Sequence, residues 1–125
     1  MSIISWWRRF WRTLFPDPGI RCIAKVESAD EIPAELPKNG AVVVVSGSYQ
    51  KWVAFDCPCS ARHRIMLNLD RTRHPSWTVH QLTNGNLSIA PSVNYYDGDR
   101  RCHYFIRDGQ INWVEDSFDG RAGKK

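Results

Sequence analysis

A serine and a histidine on two neighbouring predicted strands have the residue types of an activated nucleophile. The apolar segments Leu87–Val93 and Cys102–Arg107 flank the polar loop 94–101, which predicts an antiparallel pair of strands. In the simplest register Ser92 lies opposite His103, with their Cβ atoms about 5 Å apart. An imidazole at that distance can take the hydroxyl proton and make the oxygen nucleophilic. The same pair is also compatible with a purely structural polar bridge between two strands.

Catalysis by this pair would need a third group that orients the imidazole ring. Four polar residues in predicted loops or near strand ends are candidates: Asn68, Asp97, Asp99 and Asp116. The order of these residues along the chain does not choose among them.

A second candidate site is the pair Cys57 and Cys59, which has a single proline between its members. Because proline donates no hydrogen bond to a sheet, the pair is expected on a turn between two strands. Three interpretations are open: a structural zinc site, a thiolate nucleophile, or thiols buried as small apolar residues. The zinc site would use Cys57, Cys59, Cys102 and either His63 or His103.

Length and composition limit the classes of protein to which the chain can belong. Its 125 residues suit one domain with a packed core. The net charge of +4 is spread among 13 acidic residues, so the dense basic face of a nucleic-acid-binding protein is not expected. Four cysteines without a secretory signal indicate reduced thiols and a cytoplasmic location. No stretch approaches the ~20 apolar residues of a membrane-spanning helix.

The predicted fold is mostly β, an antiparallel meander or small barrel preceded by one N-terminal amphipathic helix. The helix is expected over residues 3–15, where apolar side chains recur at three- and four-residue spacing and Pro16 ends the pattern. Its Trp/Arg-rich composition also suits a membrane surface, but packing on the sheet or on a partner protein is the favoured interpretation. Eight strands are predicted, at residues 20–26, 41–45, 51–55, 64–69, 77–82, 87–93, 102–107 and 110–114.

Turn residues and one run of valines give further detail of the predicted fold. The dipeptides Asn84-Gly85 and Asp108-Gly109 predict tight hairpins. The unbroken valines 42–45 predict a strand that is covered on both faces. The expected domains are residues 1–19 as helix and linker, residues 20–115 as the β-rich domain, and residues 116–125 as a flexible tail.

Two segments of the chain resemble motifs of a known family. Residues 54–69 resemble the motif Cys-Pro-Cys-Gly-Cys-Gly…Leu-Asn-Leu, and residues 91–113 resemble the motif Pro-Ser-Ile…Cys-x-Ser-His-Phe-Phe-Ile-x-x-Gly-x-Ile-x-Trp. Both motifs belong to a small bacterial family whose genes stand beside ubiquitin-like, E1-like and E2-like genes in ubiquitination-like (Bub-type) operons. The Trp/Arg-rich segment 6–12 is similar as well. The resemblance implies a peptidase that trims or removes the ubiquitin-like modifier, in a setting tied to phage defence.

The chain departs from the family pattern at several sulfur positions. Ala61, Arg100 and Val114 stand where the family has cysteine, and Cys102 replaces the serine that precedes the histidine. These replacements favour a serine-type hydrolase over a metallopeptidase, so no cofactor is expected.

The leading hypothesis is a peptidase that cleaves after the C-terminal glycine of a ubiquitin-like protein. Ser92 would attack the scissile carbonyl, His103 would transfer the proton, and Asn68 or a nearby aspartate would hold the ring. Backbone amides around Cys57–Ser60 would form the oxyanion hole. The alternatives are a non-catalytic adaptor that binds the modifier or its E1- or E2-like enzymes, and a structural module stabilised by the zinc site described above.

Overall fold

The structure, a computed structural model, describes residues 19–119 and the backbone of residues 123 and 124. The described chain is mostly β. One sheet contains β1 (Arg21–Val26), β2 (Gly40–Ser46), β3 (Tyr49–Asp56) and β4 (Arg64–Asn68) in that order. A short 3₁₀ helix, Ala29–Glu31, lies in the connection from β1 to β2.

A second sheet follows along the chain. Its strands are β5 (Thr78–Gln81), β6 (Leu87–Tyr96), β7 (Arg100–Arg107), β8 (Gln110–Trp113), β9 (Phe118–Asp119) and β10 (Gly123–Lys124). The order across the sheet is β10-β9-β7-β6-β5, and β8 also pairs with β7. Because β6 occupies one edge of β7, the other edge pairs first with β9 and then with β8.

The hydrophobic core lies between the two sheets. One cluster of buried side chains joins residues of the first sheet, such as Val53 and Phe55, to residues of the second, such as Tyr104 and Ile106. Along β7 the buried residues alternate with less buried ones, as the two-residue period of a strand requires. His103 therefore projects from the outer face of the second sheet, on the side away from the core.

The turn chemistry follows the sequence at both predicted hairpins. Asp108 and Gly109, between β7 and β8, both have positive φ, at 47° and 77°, as a type I′ turn requires. Between β5 and β6, Gly85 has a φ of 90° and its amide donates to the carbonyl of Leu82. The buried run Ala41–Val44 in β2 confirms that this strand is covered on both faces.

Two features differ from the predicted fold. The strands form two sheets packed face to face, and neither sheet closes into a barrel. In addition, β1 and β2 are parallel rather than antiparallel. The connection 27–39 is long enough for the crossover that a parallel pair needs, whereas a tight hairpin would have made the pair antiparallel.

The predictions for the two ends of the chain have different outcomes. The amphipathic helix predicted at residues 3–15 lies outside the described residues. Residues 116–119, assigned from the sequence to the tail, form a turn and β9, and in them Ser117 and Asp119 are buried. Within residues 19–119 the structure contains no helix long and apolar enough to cross a membrane.

Candidate active site

A β-bulge brings Ser92 to the imidazole of His103. Ile89 pairs with Ile106, but the register then shifts, so that Asn94 rather than Ser92 is the direct partner of His103. The predicted register is therefore wrong at this position, yet the two extra residues that β6 contains between Ile89 and Val93 aim the serine at the ring. Ser92 Oγ lies 3.0 Å from His103 Nε2.

The proline in β6 gives a physical reason for the bulge. Pro91 lies within the stretch between Ile89 and Val93 where the register shifts. It has no N–H to donate to β7, and within sheets proline is confined to edges and bulges. The indole Nε1 of Trp77 donates to the carbonyl of Ser92 at 3.1 Å and fixes the backbone that carries the hydroxyl.

The other ring nitrogen of His103 faces Asp116. Nδ1 lies 2.9 Å from Oδ1 and 3.1 Å from Oδ2 of this carboxylate. A carboxylate accepts a hydrogen bond and does not donate one, so it favours the tautomer with the proton on Nδ1. Nε2 is then the acceptor that faces the hydroxyl of Ser92.

Ser117 holds the turn that carries this carboxylate. Its hydroxyl accepts from the amide of His103 at 3.0 Å and donates to the carbonyl of His103 at 2.9 Å. The amide of Val114 donates to the same carbonyl at 2.8 Å. Between β8 and β9 the chain thus turns away from the edge of β7. Asp116 lies in this turn, beside Nδ1 of His103.

Asn68, the predicted partner of the ring, lies elsewhere. Its side-chain amide donates to the carbonyls of Asp70, Arg73 and Pro75, at 3.1–3.3 Å. Its side-chain oxygen accepts from the amide of Asp70 at 3.0 Å. Asn68 therefore stabilises the loop between β4 and β5. Of the four residues that the sequence offers as partners of the imidazole, Asp116 is the one that lies at hydrogen-bonding distance from it.

Asp97 is also engaged in a turn. Its carboxylate accepts from the amides of Asp99 and Arg100 and from the hydroxyl of Tyr95. Although burial acts to raise it, these hydrogen bonds hold the pKa of Asp97 below its ordinary value. This residue stabilises the loop between β6 and β7 and does not reach the imidazole.

A shallow groove of about 260 Å³ lies on the second sheet, with walls from β5, β6 and β7. Ser92 and His103 do not line it, but Ala90 and Phe105, each two residues away from one of them along its strand, do. The side chain of His103 is 19% exposed and that of Asp116 is 51% exposed. The hydrogen-bonded line is thus partly exposed at the surface.

The cysteine pair forms a separate cluster on the inner side of β7. The ligand atoms of Cys57, Cys59, His63 and Cys102 all lie within 4.8 Å of one another. Three residues of the sequence-predicted zinc set are therefore together, and the imidazole that joins them is that of His63, not of His103. Burial raises the pKa of the Cys57 thiol and that of the Cys102 thiol.

One of the backbone amides predicted to form an oxyanion hole is engaged inside this turn. The amide of Cys57 donates to the carbonyl of His63 at 2.8 Å. This donor is therefore not free to meet a substrate.

The family model for the bacterial ubiquitination-like system serine protease, BubE, matches residues 28–114. No curated protein and no solved structure matches the chain. The matched range includes Ser92 and His103 but ends two residues before Asp116, which only the folded structure brings to the ring. Because the match covers more than half of its length, the chain belongs to the BubE family of serine proteases from bacterial ubiquitination-like systems.

Proposed function

We propose that this chain is a serine peptidase that cleaves after the C-terminal glycine of a ubiquitin-like protein. The observation that carries the proposal is the continuous hydrogen-bonded line from Ser92 Oγ through His103 to Asp116. This is the arrangement of nucleophile, base and orienting carboxylate found in serine hydrolases of unrelated folds. Membership of a serine protease family agrees with it.

The first half of the reaction transfers the acyl group to the enzyme. Ser92 Oγ attacks the scissile carbonyl carbon while His103 Nε2 takes the hydroxyl proton. Asp116 stabilises the imidazolium that forms, because its carboxylate accepts the Nδ1 proton. The tetrahedral intermediate collapses when the C–N bond breaks and Nε2 gives its proton to the leaving amine.

The second half regenerates the enzyme with the same groups. A water molecule gives a proton to Nε2 and attacks the acyl ester on Ser92. The ester C–O bond breaks, and the proton returns to Ser92 Oγ. The product is the modifier with a free C-terminal carboxylate.

Asn94 is our candidate for the donor that stabilises the oxyanion. As the direct strand partner of His103 it projects from the same outer face. Its side-chain oxygen accepts from Nη1 of Arg101 at 3.5 Å, which orients the amide group, while Nδ2 has no bonding partner among residues 19–119. An oriented amide of this kind is a common source of oxyanion stabilisation.

The groove beside the site suits the extended tail of a ubiquitin-like protein. Ala90, which pairs with Thr78 of β5 and lies two residues before the nucleophile, gives the groove a low floor. A tail that ends in glycine needs little room for side chains near the scissile bond. The residues that line the groove therefore favour a narrow, extended substrate over a bulky one.

The proposal is tested with a ubiquitin-like precursor from a bacterial ubiquitination-like operon. The wild-type chain is expected to shorten the precursor at its terminal glycine, and Ser92→Ala is expected to abolish the shortening. Ser48→Ala is the matched control, because Ser48 lies in an exposed turn far from the site along the chain. Cleavage by Ser92→Ala at the wild-type rate would overturn the proposal. Tight binding without cleavage by the wild type would instead identify an adaptor.

A further inference from the structure

The cluster on the inner face of β7 has the donor set of a metal centre. It contains three thiols and one imidazole, from Cys57, Cys59, Cys102 and His63. We propose that it binds one Zn²⁺ ion, as a closed structural site separate from the catalytic groups. The inference does not depend on the proposed peptidase activity.

The geometry of the four donors supports a single tetrahedral ion. Their ligand atoms all lie within 4.8 Å of one another, which is compact enough for one ion to reach all four. The three thiols are 1–4% exposed, so no open coordination position faces the solvent. A site closed by four protein ligands is structural, whereas a catalytic zinc keeps one position for water or substrate.

The turn around Cys57 and Cys59 holds the two thiols in place. The amide of Cys57 donates to the carbonyl of His63 at 2.8 Å, and the amide of Arg62 donates to the carbonyl of Cys59 at 3.2 Å. The hydroxyl of Tyr104 donates to Cys57 Sγ at 3.4 Å. A donor at this sulfur favours its charged form, which is the form that binds a metal, and so opposes the effect of burial.

The imidazole of His63 is held in the cluster by its surroundings. Its ring stacks on Tyr95 with centroids 3.9 Å apart, and Nδ1 lies 3.4 Å from Cys59 Sγ. Its other nitrogen, Nε2, is buried and has no hydrogen-bond partner among the described residues. In this orientation Nδ1 is the ring nitrogen that faces the sulfur atoms, so Nδ1 is the atom placed to bind the ion.

The site would join the two sheets beside the catalytic histidine. Cys57, Cys59 and His63 lie at or between the ends of β3 and β4, whereas Cys102 lies in β7 of the other sheet. Cys102 directly precedes His103, and the two side chains point to opposite faces of β7. A metal at this place would fix the backbone of β7 where it carries the base.

This set does not need the family cysteines that the chain lacks. Ala61, Arg100 and Val114 stand at those positions, yet His63 and Cys102 complete a set of four with the two cysteines of the turn. The guanidinium of Arg100 lies 3.5 Å from the hydroxyl of Ser60, the residue after Cys59, and places a positive charge beside the turn that carries the thiols. The structure thus assigns to this chain a ligand set of its own.

The test measures the metal in the purified full chain and its variants. We expect about one zinc per wild-type chain, retained through gel filtration with a competing chelator. His63→Ala and Cys102→Ser should lose that zinc, and the matched controls His74→Ala and Cys22→Ser should keep it. Ser92→Ala should also keep it, which separates this result from the test of the peptidase.

A second measurement covers variants that fail to fold. Reconstitution of the wild-type chain with Co²⁺ should give the visible bands of a tetrahedral ion and a thiolate-to-metal charge-transfer band. Removal of the metal should lower the thermal midpoint of unfolding. A folded, metal-free wild-type chain that gives no such bands with Co²⁺ and whose midpoint does not respond to Zn²⁺ would overturn the proposal.

Discussion

The carboxylate of Asp116 lies 2.9 Å from Nδ1 of His103, at the point where the chain leaves one pairing partner of β7 and begins the next. β8 pairs with β7 from Tyr104 onward, and β9 pairs with its first two residues. The residues between the two strands loop away from the sheet edge. The proposed catalytic arrangement thus depends on the gap between β8 and β9 along one edge of β7.

Replacement of Asp116 tests the role of this carboxylate. Asp116→Asn keeps the size of the side chain but can donate a hydrogen bond to Nδ1, which favours the wrong tautomer of His103. We expect kcat for precursor cleavage to fall roughly 10²- to 10⁴-fold with a smaller change in KM. Asp99→Asn, in the neighbouring exposed loop, should cleave like the wild type. Equal kcat for Asp116→Asn and the wild type would show that the carboxylate plays no part.

Ser117 is expected to act as a positioning residue. Ser117→Ala removes the hydroxyl that bridges the amide and carbonyl of His103, so the turn that carries Asp116 loses its anchor. We expect kcat to fall while KM changes little, and the free energy of unfolding to fall by about 1–3 kcal/mol. Steady-state kinetics and denaturant unfolding measure the two effects. A stability loss with unchanged kcat would make the role of the hydroxyl structural only.

Asn94 provides a test of oxyanion stabilisation. Asn94→Ala should lower kcat about 10²- to 10³-fold, because one oriented donor is removed from the transition state. Asn94→Asp, which has similar size but lacks the N–H donor, should be no more active. If Asn94→Asp retains wild-type kcat, another group must stabilise the oxyanion.

The buried ion pair between Arg100 and Asp119 should dominate the stability of the β7–β9 edge. The guanidinium and carboxylate lie 2.8 Å apart, with side chains 9% and 3% exposed. Asp119→Ala would leave a buried guanidinium without this partner and is expected to cost about 3–5 kcal/mol of unfolding free energy. Urea denaturation measures this value.

A double variant separates the loss of the pair from the loss of packing. Replacing Arg100 with Met and Asp119 with Leu removes both charges and keeps apolar volume, so it should recover a large part of the lost stability. If Asp119→Ala is as stable as the wild type, the pair contributes nothing to the edge.

The strands of this fold can be read from the sequence, but their arrangement in two sheets cannot. Alternating and β-branched segments identify β1–β8 within a few residues, and the dipeptides Asn84-Gly85 and Asp108-Gly109 identify two hairpins. Local pattern does not reveal that β1 lies parallel to β2, because that depends on how residues 27–39 cross over. Pro91 indicates the bulge in β6, because a proline inside a strand cannot donate to the hydrogen bonds between strands.

The candidate site could be predicted only in part for the same reason. Ser92 and His103 lie on adjacent strands, so their approach follows from pairing. Asp116 reaches the ring through a turn whose path depends on Ser117, and nothing in the sequence ranks it above Asp97 or Asp99. His63 is four residues from Cys59, but spacing alone also allows His103 as the fourth zinc ligand.

The identity of the nucleophile is tested most directly by covalent labelling. The full chain is treated with a fluorophosphonate probe, digested, and mapped by mass spectrometry, with Ser92→Ala and Ser48→Ala treated in parallel. We expect a single phosphonylated residue, Ser92, in the wild type and in Ser48→Ala, and no labelling of Ser92→Ala. Labelling at another residue, or undiminished labelling of Ser92→Ala, would contradict it.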